Sequence, residues 1–173
     1  MAKINVNDSQ YDGSGGNVFP QSGPHAAFVS EMEQKLSQAG NQMLVLTWTL
    51  HHPNDADCGK HVLYDYYTLT EKAIWRFVAM ARAIDPMMQI DPSDKADLDR
   101  LIFGKPIVIT LDVYEDTYGG KTKTKVDVKD WRALEATEKR ALKNAYGPGL
   151  VPDNGEVLES TGASNVVNDD IPF

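Results

Sequence analysis

The sequence contains a single cysteine, Cys58, in 173 residues. No internal disulfide can form, and a reducing cytoplasm is the compartment this composition implies. Nowhere do 18 apolar residues follow one another, so no membrane-spanning helix is expected. The opening MAKINVNDSQYDGSGG lacks the apolar stretch of a secretory signal. Also missing are G-x-x-x-x-G-K-[ST], G-x-S-x-G and H-E-x-x-H, the signatures of phosphate-loop, hydrolase-elbow and zinc-protease chemistry. Asp112, Glu115 and Asp116 come nearest to a nuclease-like metal set. Asp112 and Glu115 alternate onto opposite faces of a predicted strand, and no basic partner is evident. The chain is therefore expected to be neither an enzyme nor the carrier of a cofactor.

Positive charge is missing from one part of the chain. The formal net charge is −8, and no Lys or Arg follows Lys143. That last stretch holds Asp153, Glu156, Glu159, Asp169 and Asp170. Without those five, the remainder has 17 basic and 20 acidic residues, a net of −3. A body so close to neutral has room for a local basic strip, and the acidity belongs to the tail.

What is present is enough apolar material, 42% of residues, to build one domain with a real core. Residues 1–22 are rich in Gly, Ser, Asn and Asp and read as a flexible arm, residues 23–146 as the folded domain, and residues 147–173 as an acidic disordered tail. HAAFVSEMEQKL alternates as a first strand, with Ala26, Phe28 and Met32 on one face and Ala27, Val29, Glu31 and Glu33 on the other. Beyond the turn around Gly40-Asn41, QMLVLTWTLHH is a second strand, and KHVLYDYYTL a third. The period then changes to that of a helix in EKAIWRFVAMARAI, with Thr70 as the expected N-cap, and a short helix follows from about Pro92. KPIVITLDVYED and KTKTKVDVKDW are strands four and five around Gly119-Gly120, and ALEATEKRALKNAY is a last helix with a thin apolar stripe. Three strands, a helical insert and two strands form a mainly β chain in the order of a five-stranded OB-fold barrel, with helices between strands 3 and 4.

Single-strand nucleic-acid binding needs rings for bases and cations for phosphates. Strand three offers Tyr64 and Tyr66 on one face, with Tyr67 and Leu63 on the other, and strand four offers Tyr114. Trp48 shares its face with Leu44, Leu46 and Leu50, so core packing and base stacking are both open for it. Lys121, Lys123 and Lys125 lie on one face of strand five. They suit phosphate contact, with the protection of an edge strand as the other reading. Lys35 and Lys60 extend the same basic track. His51, His52, Cys58 and His61 have some zinc-like spacing, but adjacent strand histidines point apart, so no metal site is expected.

The segment Asp169, Asp170, Ile171, Pro172, Phe173 resembles the acidic tip of bacterial single-stranded-DNA-binding proteins, which docks replication and repair proteins. The body resembles phage-encoded single-stranded-DNA-binding proteins with an OB-fold. The stretches that carry this likeness are FPQSGPHAAFVSEMEQKLSQAGNQMLVLTWTL, EKAIWRFVAMARAI and GKPIVITLDVYED. The resemblance implies a protein in the bacterial host cytoplasm that coats and protects single-stranded DNA in phage replication or recombination. It implies partner recruitment through residues 169–173, where the Phe173 ring enters an apolar pocket and the two aspartates steer toward a basic rim. An OB-fold adaptor of a replication complex, with little DNA binding of its own, is the other reading. Homo-oligomerisation is left open.

Overall fold

The computed structural model describes residues 19–147. The order of elements is β1 (Gly23–Leu36), β2 (Gln42–Leu50), β3 (His61–Thr68), α1 (Trp75–Ile84), α2 (Lys95–Leu101), β4 (Ile107–Tyr118), β5 (Lys121–Arg132) and α3 (Ala136–Tyr146). The five strands make one antiparallel sheet in the spatial order β3-β2-β1-β4-β5. The chain is mainly β, with two helices inserted between β3 and β4, as the periodicities predict. Because β4 returns beside β1, the arrangement is OB-like. The sheet is open: among the described residues no ladder joins β3 to β5.

Bulges decide which residues face the core. In β1 the register shifts between Val29 and Glu31, so Ala27, Val29 and Met32 pair with the inward Leu50, Trp48 and Leu46. Strict alternation puts Met32 with Ala26 and Phe28; the extra residue at Ser30 reverses the parity. In β3, Leu46 pairs with Asp65 and Trp48 with Val62, leaving Thr47 opposite both Leu63 and Tyr64. Leu63, expected on the inner face with Tyr67, is therefore exposed while Tyr67 is buried. Tyr64 takes φ 59°, the only positive φ among the described non-glycine residues. A left-handed backbone costs an ordinary residue roughly 1–2 kcal/mol.

The helices also differ in detail from the sequence reading. Thr70 does not cap α1. Its carbonyl accepts the amides of Ala73 and Ile74 in a turn, and the helix begins at Trp75. Phe77, Met80, Ala81 and Ile84 supply its buried stripe. Asp94 caps α2 by accepting the Ala96 N–H. The helix with the thin stripe, α3, carries a capping box between Glu135 and Glu138, and Arg132 holds Glu138 through two 2.9 Å bonds. It lays Leu142 on Ala26, Val108 and Leu134, on the outer face of the sheet.

β3 and β5, the two edges, touch without a ladder, and side chains span the gap. Asp65 is buried and accepts from Trp48 Nε1 at 2.8 Å, the Tyr67 hydroxyl at 2.6 Å and the Arg76 guanidinium at 2.7 Å. Arg76, from α1, also donates to the Val128 carbonyl of β5 at 3.1 Å, and lies about as far from the Trp131 ring (4.9 Å) as from that of Tyr67 (5.0 Å). Trp131 Nε1 donates to the Tyr67 hydroxyl, so the chain of bonds runs from β2 through β3 to β5. Burial pushes the Asp65 carboxyl above its ordinary value, and its hydrogen-bond donors and the Arg76 charge pull part of the way back.

A second polar cluster ties the 19–21 segment to the β2–β3 loop. His25 faces the Asp55 carboxylate through Nδ1 and the Gln21 carbonyl through Nε2. Asp57 accepts from the Gln21 amide at 2.9 Å and from Lys60 Nζ at 2.7 Å, and Lys60 also reaches the Phe19 carbonyl. Burial pushes the Asp57 carboxyl up, but the Lys60 ammonium and the Gln21 amide outweigh it and leave it below the ordinary 3.8.

Both clusters lead to measurable outcomes. Asp65→Ala leaves a charged guanidinium and two other donors without their acceptor, and is expected to lower unfolding stability by roughly 3–5 kcal/mol in urea titrations. Because Asp57 has a lower pKa folded than unfolded, its contribution is complete above the ordinary carboxylate range, begins to fall near about pH 4, and is lost as pH drops through its lower folded pKa. Urea midpoints measured from pH 6 to pH 3 should fall less steeply for Asp57→Asn than for the native chain.

Candidate nucleic-acid interface

The turn Tyr118-Gly119-Gly120-Lys121 determines the shape of the candidate site. Gly119 and Gly120 both have positive φ, 61° and 79°, as a two-residue hairpin turn of the primed type requires. β1 pairs with β4 only as far as Leu111, so from Asp112 to the turn the β4–β5 hairpin has no third strand. Ser22 Oγ still accepts the Val113 amide, and Val113 and Val126 pack against the core, so the ribbon is free from Tyr114 onward. At about 3.3 Å per residue, that stretch projects roughly 15 Å beyond the body of the sheet.

One face of this ribbon carries the cross-strand pairs Tyr118 with Lys121, Asp116 with Lys123, Tyr114 with Lys125 and Asp112 with Asp127. The three lysines thus share a face, together with Tyr114 and Tyr118, and Tyr118 is 87% exposed. The same face holds three carboxylates, Asp127 from β5 itself and Asp112 and Asp116 from across the hairpin. Lys125 Nζ lies 3.2 Å from Asp116, and Asp127 accepts the Tyr114 hydroxyl at 3.0 Å, which holds that hydroxyl's pKa above its ordinary value. Counting three residues back from Gly119-Gly120 along each strand places Asp116 against Lys123. Lys121, Lys123, Lys125, Asp116 and Tyr118 together line a shallow cavity of about 390 Å³.

Tyr66 pairs with Val45 on the outer face of β3, and Tyr64 projects from the bulge beside it. Between β1, β2 and β3, the outer face carries a hydrogen-bonded row: Thr49 Oγ1 donates to Ser30 Oγ at 2.8 Å and meets His61 Nδ1 at 2.9 Å. Tyr64 and Tyr66 therefore lie on the same side of the sheet as the lysine face, but at the opposite edge, with β2, β1 and β4 in between. α3 covers part of that interval at Ala26 and Val108. Its last residue, Tyr146, stacks on His51, whose ring meets Phe28 edge-on, and burial lowers the His51 pKa.

Three residues of the expected track lie elsewhere. Trp48 is fully buried, with its indole N–H on Asp65, so it is a core residue and offers no ring to a base. The ammonium of Lys60 is held inside the loop by Asp57 and the Phe19 carbonyl. Lys35 is exposed but lies at the far end of β1, beside the β1–β2 turn, whereas the lysine hairpin extends past the other end of that strand. Residues 169–173 lie outside the described residues.

The histidine and cysteine spacing in the β2–β3 loop does not converge. His52 accepts the Asn54 amide, His61 bonds Thr49, and Cys58 meets the Tyr146 hydroxyl at 3.4 Å. His25, Asp55 and Asp57 do gather, with ligand atoms within 4.8 Å of one another. There the Lys60 ammonium and the Gln21 amide already occupy both oxygens of Asp57.

Among the described residues no helix is long and apolar enough to cross a membrane. No curated protein matches the sequence. Among solved structures, yeast RPA bound to single-stranded DNA aligns over 83% of this chain and 95% of its own, at 13% identity and a TM-score of 0.34. Residues 4–141 match the family described as a protein of unknown function, DUF669, and the chain belongs to that family.

Proposed function

We propose that this is a non-catalytic protein that binds single-stranded DNA across the outer face of its sheet. The observation that carries the reading is the combination, on one side of one OB-like sheet, of exposed Tyr64 and Tyr66 on β3 with Tyr114, Tyr118, Lys121, Lys123 and Lys125 on a projecting β4–β5 hairpin. OB-folds take oligonucleotides on the face of strands 2 and 3, between the loops joining strands 1–2 and 4–5. Tyrosines on the strand face supply stacking platforms, and the lysine ribbon supplies cations for phosphates. Asp116 competes with phosphate for Lys125, so Lys121 and Lys123 are the stronger contacts.

On this reading the protein coats and protects single strands during phage replication or recombination in the host cytoplasm. The acidic segment from Asp169 to Phe173 recruits replication and recombination proteins, as the resemblance of that segment implies. The same negative segment competes with DNA for the lysine ribbon.

The reading is tested by mobility shifts with single- and double-stranded oligonucleotides at two salt concentrations. A marked single-strand preference is the expected result. Absence of binding would instead favour an adaptor that works only through its tail. Replacing Lys121 and Lys123 by Ala should flatten the plot of log affinity against log salt by about 0.7 for each phosphate that a lysine no longer neutralises. Removing residues 165–173 should tighten binding at low salt and leave it nearly unchanged at high salt, where the competition is screened.

A further inference from the structure

The bulge in β3 has a reason in the fold. Val62 and Asp65 are both buried, and residues three apart on a regular strand would face opposite ways. An extra residue between them lets Val62 reach the core opposite Trp48 while Asp65 reaches Arg76 and the Trp48 indole. The fold therefore needs the bulge. It does not need a tyrosine there. At φ 59° a glycine meets no steric penalty and asparagine a small one, yet the position holds a large aromatic residue. Tyr64 is 67% exposed, and among the described residues no hydrogen bond, ion pair or ring contact holds its side chain. Leu63 beside it is 54% exposed, so two apolar side chains project side by side over Thr47. Tyr66, two residues on, adds a second exposed ring on the same face.

We infer that the Leu63–Tyr64 bulge is a base-stacking step for unpaired nucleotides: the Tyr64 ring takes the face of one base, and Leu63 packs against its edge. The inference rests on the single-strand-binding reading and assigns Leu63, which alternation alone points inward, to the interface. Backbone strain concentrates where a side chain must be presented to a ligand, and bulges re-aim side chains at such places. Among the described residues the strained side chain has no hydrogen-bond, ion-pair or ring partner, and an unpaired base is a planar apolar partner that fits an exposed ring next to an aliphatic side chain.

The test uses the full chain with Tyr64→Gly, Tyr64→Phe and Leu63→Ala, and two probes of equal length: an oligothymidylate and an abasic strand that keeps its phosphates. Tyr64→Gly should unfold at the same temperature as the native chain or higher, since the fold is relieved of strain. Its affinity for oligothymidylate should drop about 5- to 150-fold, the range for removing one base–aromatic stack. Its affinity for the abasic strand should be unchanged. Tyr64→Phe should bind within about twofold of the native chain, and Leu63→Ala should weaken only the base-containing probe. The inference is overturned if the native chain binds oligothymidylate and Tyr64→Gly binds it equally well. It also fails if Tyr64→Gly lowers the unfolding temperature, because the tyrosine would then serve the fold. Equal weakening on both probes would make Tyr64 a backbone contact and remove the stacking role. A native chain that binds neither probe would overturn the single-strand reading itself, and this inference with it.

Discussion

The structure depends on how one buried carboxylate is satisfied. An open five-stranded sheet has two edges, and here those edges, β3 and β5, touch without exchanging backbone hydrogen bonds. Asp65 supplies what the ladder does not. It collects Trp48, Tyr67 and Arg76, and Arg76 passes the connection on to the Val128 carbonyl of β5. A buried ionisable group is tolerated only when its lone pairs are filled, and each of these donors has another role in packing. The Trp48 indole is a core wall, Tyr67 and Trp131 are linked through the Tyr67 hydroxyl, and Arg76 anchors α1 across the seam. The side of α1 that carries Phe77 and Met80 is thereby held over the open side of the sheet.

Everything on the outer face follows from that arrangement. For Asp65 and Val62 both to point inward, β3 must bulge, and the bulge turns Leu63 and Tyr64 out together. At the other edge, β5 is needed against Arg76 only near Val128 and Trp131. Its first residues, from Lys121 to Lys125, run out with β4 as a two-stranded ribbon bearing alternating lysines. α3 covers part of the outer face between these two features, with Leu142 on Ala26 and Val108. The polar latch of His25, Asp55, Asp57 and Lys60 holds the chain entering β1 in a comparable way.

Much of this is legible in the sequence. Alternation in KPIVITLDVYED and KTKTKVDVK locates a hairpin and puts three lysines on one side, because period two is a local property of an extended chain. The helix between strands three and four is equally legible from the spacing of Ile74, Phe77, Val78 and Ala81, of which Phe77 and Ala81 are buried and Val78 is exposed. Alternation misleads where one residue interrupts the period. It puts Met32 and Leu63 on the wrong face because a bulge has no signature of its own in a run of strand-forming residues. Trp48 is ambiguous because a tryptophan among leucines suits a core or a platform equally well, and only the position of Asp65 beneath its N–H decides between them.

By itself, then, the sequence determined the element types, their order, the acidic imbalance of the tail and the lysine stripe, since these depend on near neighbours. The tertiary structure alone decided that Trp48 is core, that Lys60 is occupied, and that Leu63 joins Tyr64 outside. Each of those depends on a partner that local periodicity does not reveal: Trp48 on Asp65, Lys60 on Asp57 and Phe19, Leu63 on the bulge opposite Thr47. The burial of a polar group is settled by what fills its hydrogen bonds, and that filling exists only once the strands have paired.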